Sequence, residues 1–427
     1  VVTSLVVVAT FAMLWQETWQ VSHNDYAVEA SGPLNALLHG RIWTFLTTAP
    51  PYGPSLVMRA PFALLASLGG GNALLIYRFA ALPCLLALAG LAVWIYPQLR
   101  GVRWRWFAVL LTLAVCVANP ITHYALALGH PEEALGAVLC VAAVVFAVRG
   151  HATLAGLLLG LAIANKEWAV VAIGPVLVAL PDRRWRATLS AGAVVALLLG
   201  PIALASGTAT GATYRLTLND GGTIFYPRQI WWFFGTVGHW VPSMAGQLLH
   251  GFRLPPTWLQ GRAHLLIAWV GLPLSWLAYR RGMARQNGLL LLALLLLLRC
   301  MLDPWDLGYY PLPFVVALLA WETTVKHRAP IGAAVATAAT WLIFEYLPNH
   351  LSANQQALSF IVPSVLALAA MSLVVYRRSP GSERLTPSEQ PAQSTTSRSF
   401  GNWLSRRQPS SVTTVRSSMR TPSTPGK

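Results

Sequence analysis

Charge is scarce in this chain. Only 10% of its 427 residues are charged and 55% are hydrophobic, whereas a soluble domain carries about 25% charged residues. No soluble fold of this length could cover so much apolar surface. Acids are the scarcest class, with 14 Asp and Glu against 30 Lys and Arg and a net charge of +16. On a soluble protein that balance would suggest nucleic acid. Here the basic residues sit in short loops and in the C-terminal stretch, so they read as topology and contact with anionic lipid, and no nucleic acid partner is expected. Cysteine is rare too. Cys84, Cys116, Cys140 and Cys300 are each isolated in an apolar run, which excludes paired metal or redox spacing and reads as small core residues. Neither G-x-x-x-x-G-K nor G-x-G-x-x-G occurs, and no cofactor is expected. The start lacks both a basic n-region and an A-x-A site, so residues 1–15 read as a membrane helix, not a signal peptide.

What is abundant is apolar runs of a length suited to a bilayer. They predict an all-α polytopic membrane protein of about 12 spans: 1–15, 73–97, 106–127, 133–148, 152–164, 168–180, 187–205, 264–279, 286–302, 308–325, 331–347 and 358–376. The five short loops that fall on one side hold twelve Lys and Arg and one acid, Asp182. That side should be cytoplasmic. The apolar stretch 53–68 would put Arg100, Arg103 and Arg105 outside if it crossed, so it is placed as an amphipathic or re-entrant helix at the outer surface. Gly156 and Gly160 form a small-residue pair suited to close helix packing. Residues 1–376 form the transmembrane domain. Residues 377–427, rich in Ser, Thr, Pro and Arg, predict a disordered basic cytoplasmic tail.

The acids of the membrane domain gather on the opposite, external side. Asp25 and Glu29 lie in the first loop (16–72), Glu132 and Glu133 at a helix end, Glu167 at a hairpin tip, and Asp303 and Asp306 at another helix end. Ionisable groups near a bilayer are costly and mark functional sites. Lys166 tips an otherwise apolar hairpin and could bind a lipid phosphate as a point charge. His130 stands beside two acids and could pair with either. A second long external loop (206–263) carries Arg215, Arg228 and several aromatics.

Asn24-Asp25-Tyr26 with Gly40 downstream resembles the first loop of glycosyltransferase family 87, within the GT-C superfamily of membrane glycosyltransferases. The stretch from Gly129 to Arg186, with Lys166, is similar to that family's middle helices, and Asp303 to Tyr310 with Glu322 is similar to a later segment. The family contains polyprenyl-phosphate-mannose-dependent mannosyltransferases of actinobacteria. The resemblance implies a GT-C-like bundle with interfacial helices in the first external loop. It implies a multi-pass plasma-membrane enzyme whose active site faces the extracytoplasmic side. A sugar, mannose by this resemblance, would pass with inversion from a polyprenyl-phosphate donor to a lipid or glycan hydroxyl. Asp25 is the candidate base. The candidate substrate-binding residues are Glu29, Arg59, His130, Glu133, Lys166, Arg228, Asp303, Asp306 and Tyr310. The first loop has no Asp-x-Asp, and no metal is expected. The competing class is a transporter or flippase of a lipid-linked or envelope precursor, which would be expected to carry ionisable groups at mid-membrane and related halves.

Overall fold

In the computed structural model the described residues are 25–220, 227–237, 262–303 and 306–377, with isolated residues between 4 and 12 and short pieces between 241 and 259. The expected first span, residues Trp15 to Asn24 and the basic tail lie wholly or mostly outside them. The described chain is almost entirely helical. Two short antiparallel pairings, Thr236–Val237 with Arg253–Leu254 and Val241–Pro242 with Leu248–Leu249, lie in the second long loop.

The first loop folds into three helices: α1 (Ser31–Leu38), α2 (Ile42–Thr48) and α3 (Gly53–Leu68). Interfacial helices were expected there, and α3 matches the stretch placed as non-crossing. It packs on α4 (Ala73–Ile95), whose start is capped by the Asn72 side chain accepting from the Leu75 amide at 3.0 Å. The expected helix over 106–127 is broken into α5 (Arg105–Cys116) and α6 (Pro120–Leu128). Pro120 has no amide hydrogen to continue α5. Buried Asn119 bridges the gap, donating to Val115 O at 3.0 Å and accepting from Ile121 N at 2.9 Å.

α7 (Glu132–Val148), α8 (Ala152–Asn165), a 3₁₀ turn at Glu167–Ala172 and α9 (Ile173–Ala179) follow. α10 (Arg184–Asp220) runs about four turns past the expected end near 205. It lies along α8, where a Cβ on Gly160 would stand 2.8 Å from Ala191 O and Val194 Cβ. The small-residue pair does allow the close packing expected of it.

α11 (Ala263–Arg280), α12 (Gly288–Leu302), α13 (Leu312–Thr324), α14 (Ile331–Trp341) and α15 (Ala353–Val375) complete the bundle. α12 is apolar all round and buried on nearly every side, so it and α13 form the centre of the core. Among the described residues, six stretches are long and apolar enough to cross a membrane: Ala73–Leu99, Arg105–Leu128, Arg184–Ala205, Arg285–Leu302, Ile331–Asn349 and Ala353–Val375. Other expected spans appear as shorter apolar helices. The described residues are consistent with the expected all-α polytopic class. Twelve crossings is a finer count than these lengths carry.

Candidate active site

The site begins at the residue that starts the first described helical turn. Asp25 caps a π turn, Tyr26–Ala30. Tyr26 is buried against Tyr77, ring centroids 4.5 Å apart, and the Tyr77 hydroxyl donates to Leu126 O at 2.6 Å. The first loop is thereby seated on the end of α6. Gly129 makes the fit possible. Its φ is +97°, and a Cβ there would stand 2.5 Å from the Tyr26 amide nitrogen. Only glycine accepts both that backbone conformation and that approach.

The next residue, His130, then meets Asp25. Its Nε2 lies 3.0 Å from Asp25 Oδ2, and its Nδ1 lies 2.8 Å from Glu132 Oε1. The imidazole is buried, while the Asp25 side chain is 49% exposed. Both ring nitrogens face carboxylate oxygens, which only accept. A doubly protonated ring satisfies both; a neutral ring satisfies one. Burial and Lys166 push the His130 pKa down, but Glu132 and the hydrogen bonds to Asp25 and Glu132 outweigh them and raise it to about 9.

Glu132 is the hub. It sits fully buried in the first turn of α7, where the helix dipole favours an anion. Besides His130, its oxygens accept from Lys166 Nζ at 3.1 Å and from Arg59 Nη1 at 3.3 Å. Its backbone carbonyl accepts from Asn165 Nδ2 at 2.8 Å, and Ser55 donates to Asn165 Oδ1 at 2.8 Å. Four helices thus converge on one residue: α3 through Arg59 on the carboxylate and Ser55 on Asn165, α7 itself, and α8 through Asn165 on the backbone carbonyl and, just beyond it, Lys166 on the carboxylate, with α6 delivering His130. Lys166 also lies 4.3 Å above the Tyr52 ring. Although burial opposes its charge, the carboxylates Glu132, Glu133 and Glu167 hold its pKa above the usual lysine value. Tyr52 donates to Glu29 Oε2 at 2.6 Å, so Glu29 braces the site through Tyr52.

A second group adjoins the first. Glu133 is fully buried, 4.0 Å from Lys166, and neither of its oxygens has a hydrogen-bond partner among the described residues. Tyr309 lies 5.1 Å from the His130 ring and 5.0 Å from the Tyr310 ring. Arg299, near the end of α12, stacks on Tyr310 at 4.2 Å and approaches Asp303 Oδ2 at 3.8 Å. Asp306 is fully enclosed; burial first, then the Asp303 charge, pushes its pKa well above the usual carboxylate range. Arg228 donates to Gln356 Oε1 at 3.0 Å and lies over the Phe344 ring, within electrostatic reach of Asp306.

Of the residues singled out from sequence, Asp25, Glu29, Arg59, His130, Glu133 and Lys166 are thus brought into one cluster. Asp303, Asp306 and Tyr310 form a contiguous extension, and Arg228 stands at its edge. Sequence reasoning chose Glu133 over Glu132, and it missed Tyr52, Asn165 and Tyr309. Adjacent helical positions point about 100° apart, and nothing in the sequence alone says which of the two faces His130. Among the described residues, no three His, Cys, Asp or Glu side chains are grouped to hold one metal ion.

Residues 13–182 match the family described as alpha-(1->6)-mannopyranosyltransferase, N-terminal domain. That stretch includes Asp25, Arg59, His130, Glu132 and Lys166 and ends before Arg228, Asp303 and Tyr310. The chain is also similar to alpha-(1->6)-mannopyranosyltransferase A of Mycobacterium tuberculosis, at 29% identity over 385 residues, covering 83% of this chain and 68% of that protein. No solved structure matches. Both matches bear out the resemblance to family-87-like mannosyltransferases and support a glycosyltransferase enzyme of the mannosyltransferase kind, and the apolar helices support a membrane protein.

Proposed function

We propose that this protein transfers mannose from a polyprenyl-phosphate donor to a hydroxyl of a lipid or glycan acceptor, on the extracytoplasmic face of the membrane, with Asp25 as the base. The observation that carries the reading is the half-exposed Asp25 carboxylate, fixed by His130 at the mouth of a buried polar cluster. A sugar hydroxyl is a poor nucleophile at neutral pH, and a positioned carboxylate that accepts its proton as it attacks makes it a competent one. The acceptor oxygen bonds to the anomeric carbon, the bond to the phosphate breaks, and its electron pair leaves with the phosphate. One displacement inverts that centre. Lys166 is the cation we assign to the departing phosphate: its side chain keeps 12% exposure, against 1% for Arg59. The concentration of twelve Lys and Arg against a single acid in the five short loops of the opposite face supports the extracytoplasmic placement.

The test is transfer itself. Membranes containing the protein are incubated with radiolabelled polyprenyl-phosphate mannose and a mannan acceptor, and the label should move into the acceptor. Label that stays on the donor, or crosses the bilayer unchanged, would favour the transporter reading.

A further inference from the structure

We infer that Glu132 is a positioning residue for the transfer: it holds His130 as an imidazolium between two carboxylates, and His130 in turn fixes Asp25 in the orientation from which it takes the acceptor's proton. This rests on Asp25 being the base, as proposed above. Glu132 cannot itself serve as the base, because it is fully buried and already meets His130, Lys166 and Arg59. Nor is its surrounding merely neutralising. One cation balances a single carboxylate and Lys166 and Arg59 already supply two, yet Glu132 holds a third positive group and aims it at the half-exposed carboxylate of Asp25.

The groups around His130 agree with this reading. Asp25 and Glu132 bond its two nitrogens, and the rings of Tyr52 and Tyr309 flank it at 6.1 and 5.1 Å. Lys166 shares Glu132 Oε1 with His130, Arg59 meets Oε2, Glu29 lies behind Tyr52, and Glu133 adjoins Lys166. The two carboxylates outweigh Lys166 and burial, which places the ring's ionisation near 9 instead of its ordinary 6.5. In the reaction the acceptor's proton passes to Asp25, and His130 neither gains nor loses one. The ion pair is complete below about pH 6.5 and is lost as pH rises through about 9.

The experiment pairs a substrate-free readout with kinetics on the purified full chain. The protein is labelled with ¹⁵N-histidine, and the His130 signal is identified among the ten histidines by its loss in His130→Gln. In the wild type it should be protonated at pH 7 and titrate near 9. In Glu132→Gln it should titrate closer to 6.5. The same variant should lower kcat by on the order of ten- to a hundredfold with little change in donor KM, and its alkaline limb should move down in pH with the NMR titration. Unchanged His130 ionisation and an unchanged pH limb in folded Glu132→Gln would reduce Glu132 to a structural residue and overturn the inference. If Glu132→Gln does not fold, His130→Gln decides, since its kcat profile should lose the limb near 9 and a retained limb overturns the inference. Because the NMR needs no substrate, a charged His130 in a protein that transfers no mannose would overturn the functional reading. A neutral His130 in an active enzyme would overturn this one.

Discussion

Asp25 and Glu29 are four residues apart, a spacing that on a regular helix would turn both carboxylates the same way. The structure gives them different partners: Asp25 meets His130, and Glu29 accepts from the Tyr52 hydroxyl. The two should therefore separate in assay. Asp25→Asn keeps the size and much of the hydrogen bonding but cannot accept a proton, and transfer should fall about 10²–10⁴-fold with donor binding retained. Glu29→Gln still offers Tyr52 an oxygen and should stay within several-fold of wild type; the reverse ranking of the two rates would reassign the base. Lys166 carries a double consequence. The structure joins it to Glu132 at 3.1 Å. Lys166→Ala removes one of the three positive groups on Glu132 but leaves Arg59 and His130, so it should destabilise the fold by less than the about 3–5 kcal/mol of a fully broken buried pair, as well as slow transfer. Lys166→Arg should restore most of the thermal stability but only part of the activity, because a guanidinium fork does not reproduce a point charge. Rescue of both in equal measure would argue against a phosphate role. At this scale the sequence showed which residues are costly to place near a bilayer. It could not show which partner each one finds, since that depends on the roll of α7 and on the seating of the first loop.

The elements carry the site by approaching more closely than ordinary side chains allow. Gly129 is the sharpest case, joining a left-handed backbone to a contact with Tyr26. Gly129→Ala should cost roughly 1–2 kcal/mol for the backbone conformation alone, and the added methyl must also push Tyr26, and with it Asp25, away from His130. The expected result is a modest fall in thermal unfolding temperature in detergent and a disproportionate loss of transfer. Equal losses would mean that Gly129 serves folding only. The break between α5 and α6 is a related device. Asn119 and Pro120 end one helix and start another, so that the second delivers Gly129 and His130 to the first loop. The Pro was visible in the sequence, but a single apolar period ran through it and hid the break. The packing of Gly156 and Gly160 against α10 was legible, because glycines four positions apart lie on one helix face and leave a smooth stripe that a neighbouring backbone can approach.

Across the whole molecule, the apolar content announced the class, but helix lengths did not follow from it. A bilayer core of about 30 Å needs about 20 helical residues. α8 has 14 residues and α13 has 13, because the chain on either side is spent on loops that carry Lys166 and Tyr309. Orientation rests on the loops. Trp104, Trp106, Trp185 and Trp276 are exposed, and arginines stack on three of them: Arg105 on Trp106 at 5.5 Å, Arg186 on Trp185 at 5.3 Å and Arg280 on Trp276 at 5.7 Å. Aromatic rings and cations together are what an interface with anionic lipid favours, and basic loops stay on the cytoplasmic side. Single introduced cysteines test this cleanly, since Cys84, Cys116, Cys140 and Cys300 are all free and buried and should react little. Arg103→Cys and Arg281→Cys sit in exposed loop positions of the expected inner face, and Val28→Cys is 81% exposed three residues from Asp25. In intact cells a membrane-impermeant maleimide should label position 28 and spare 103 and 281, and permeabilisation should reveal the latter two. Labelling of 103 from outside would reverse the orientation, put Asp25 in the cytoplasm and remove the basis for a donor held in the outer leaflet.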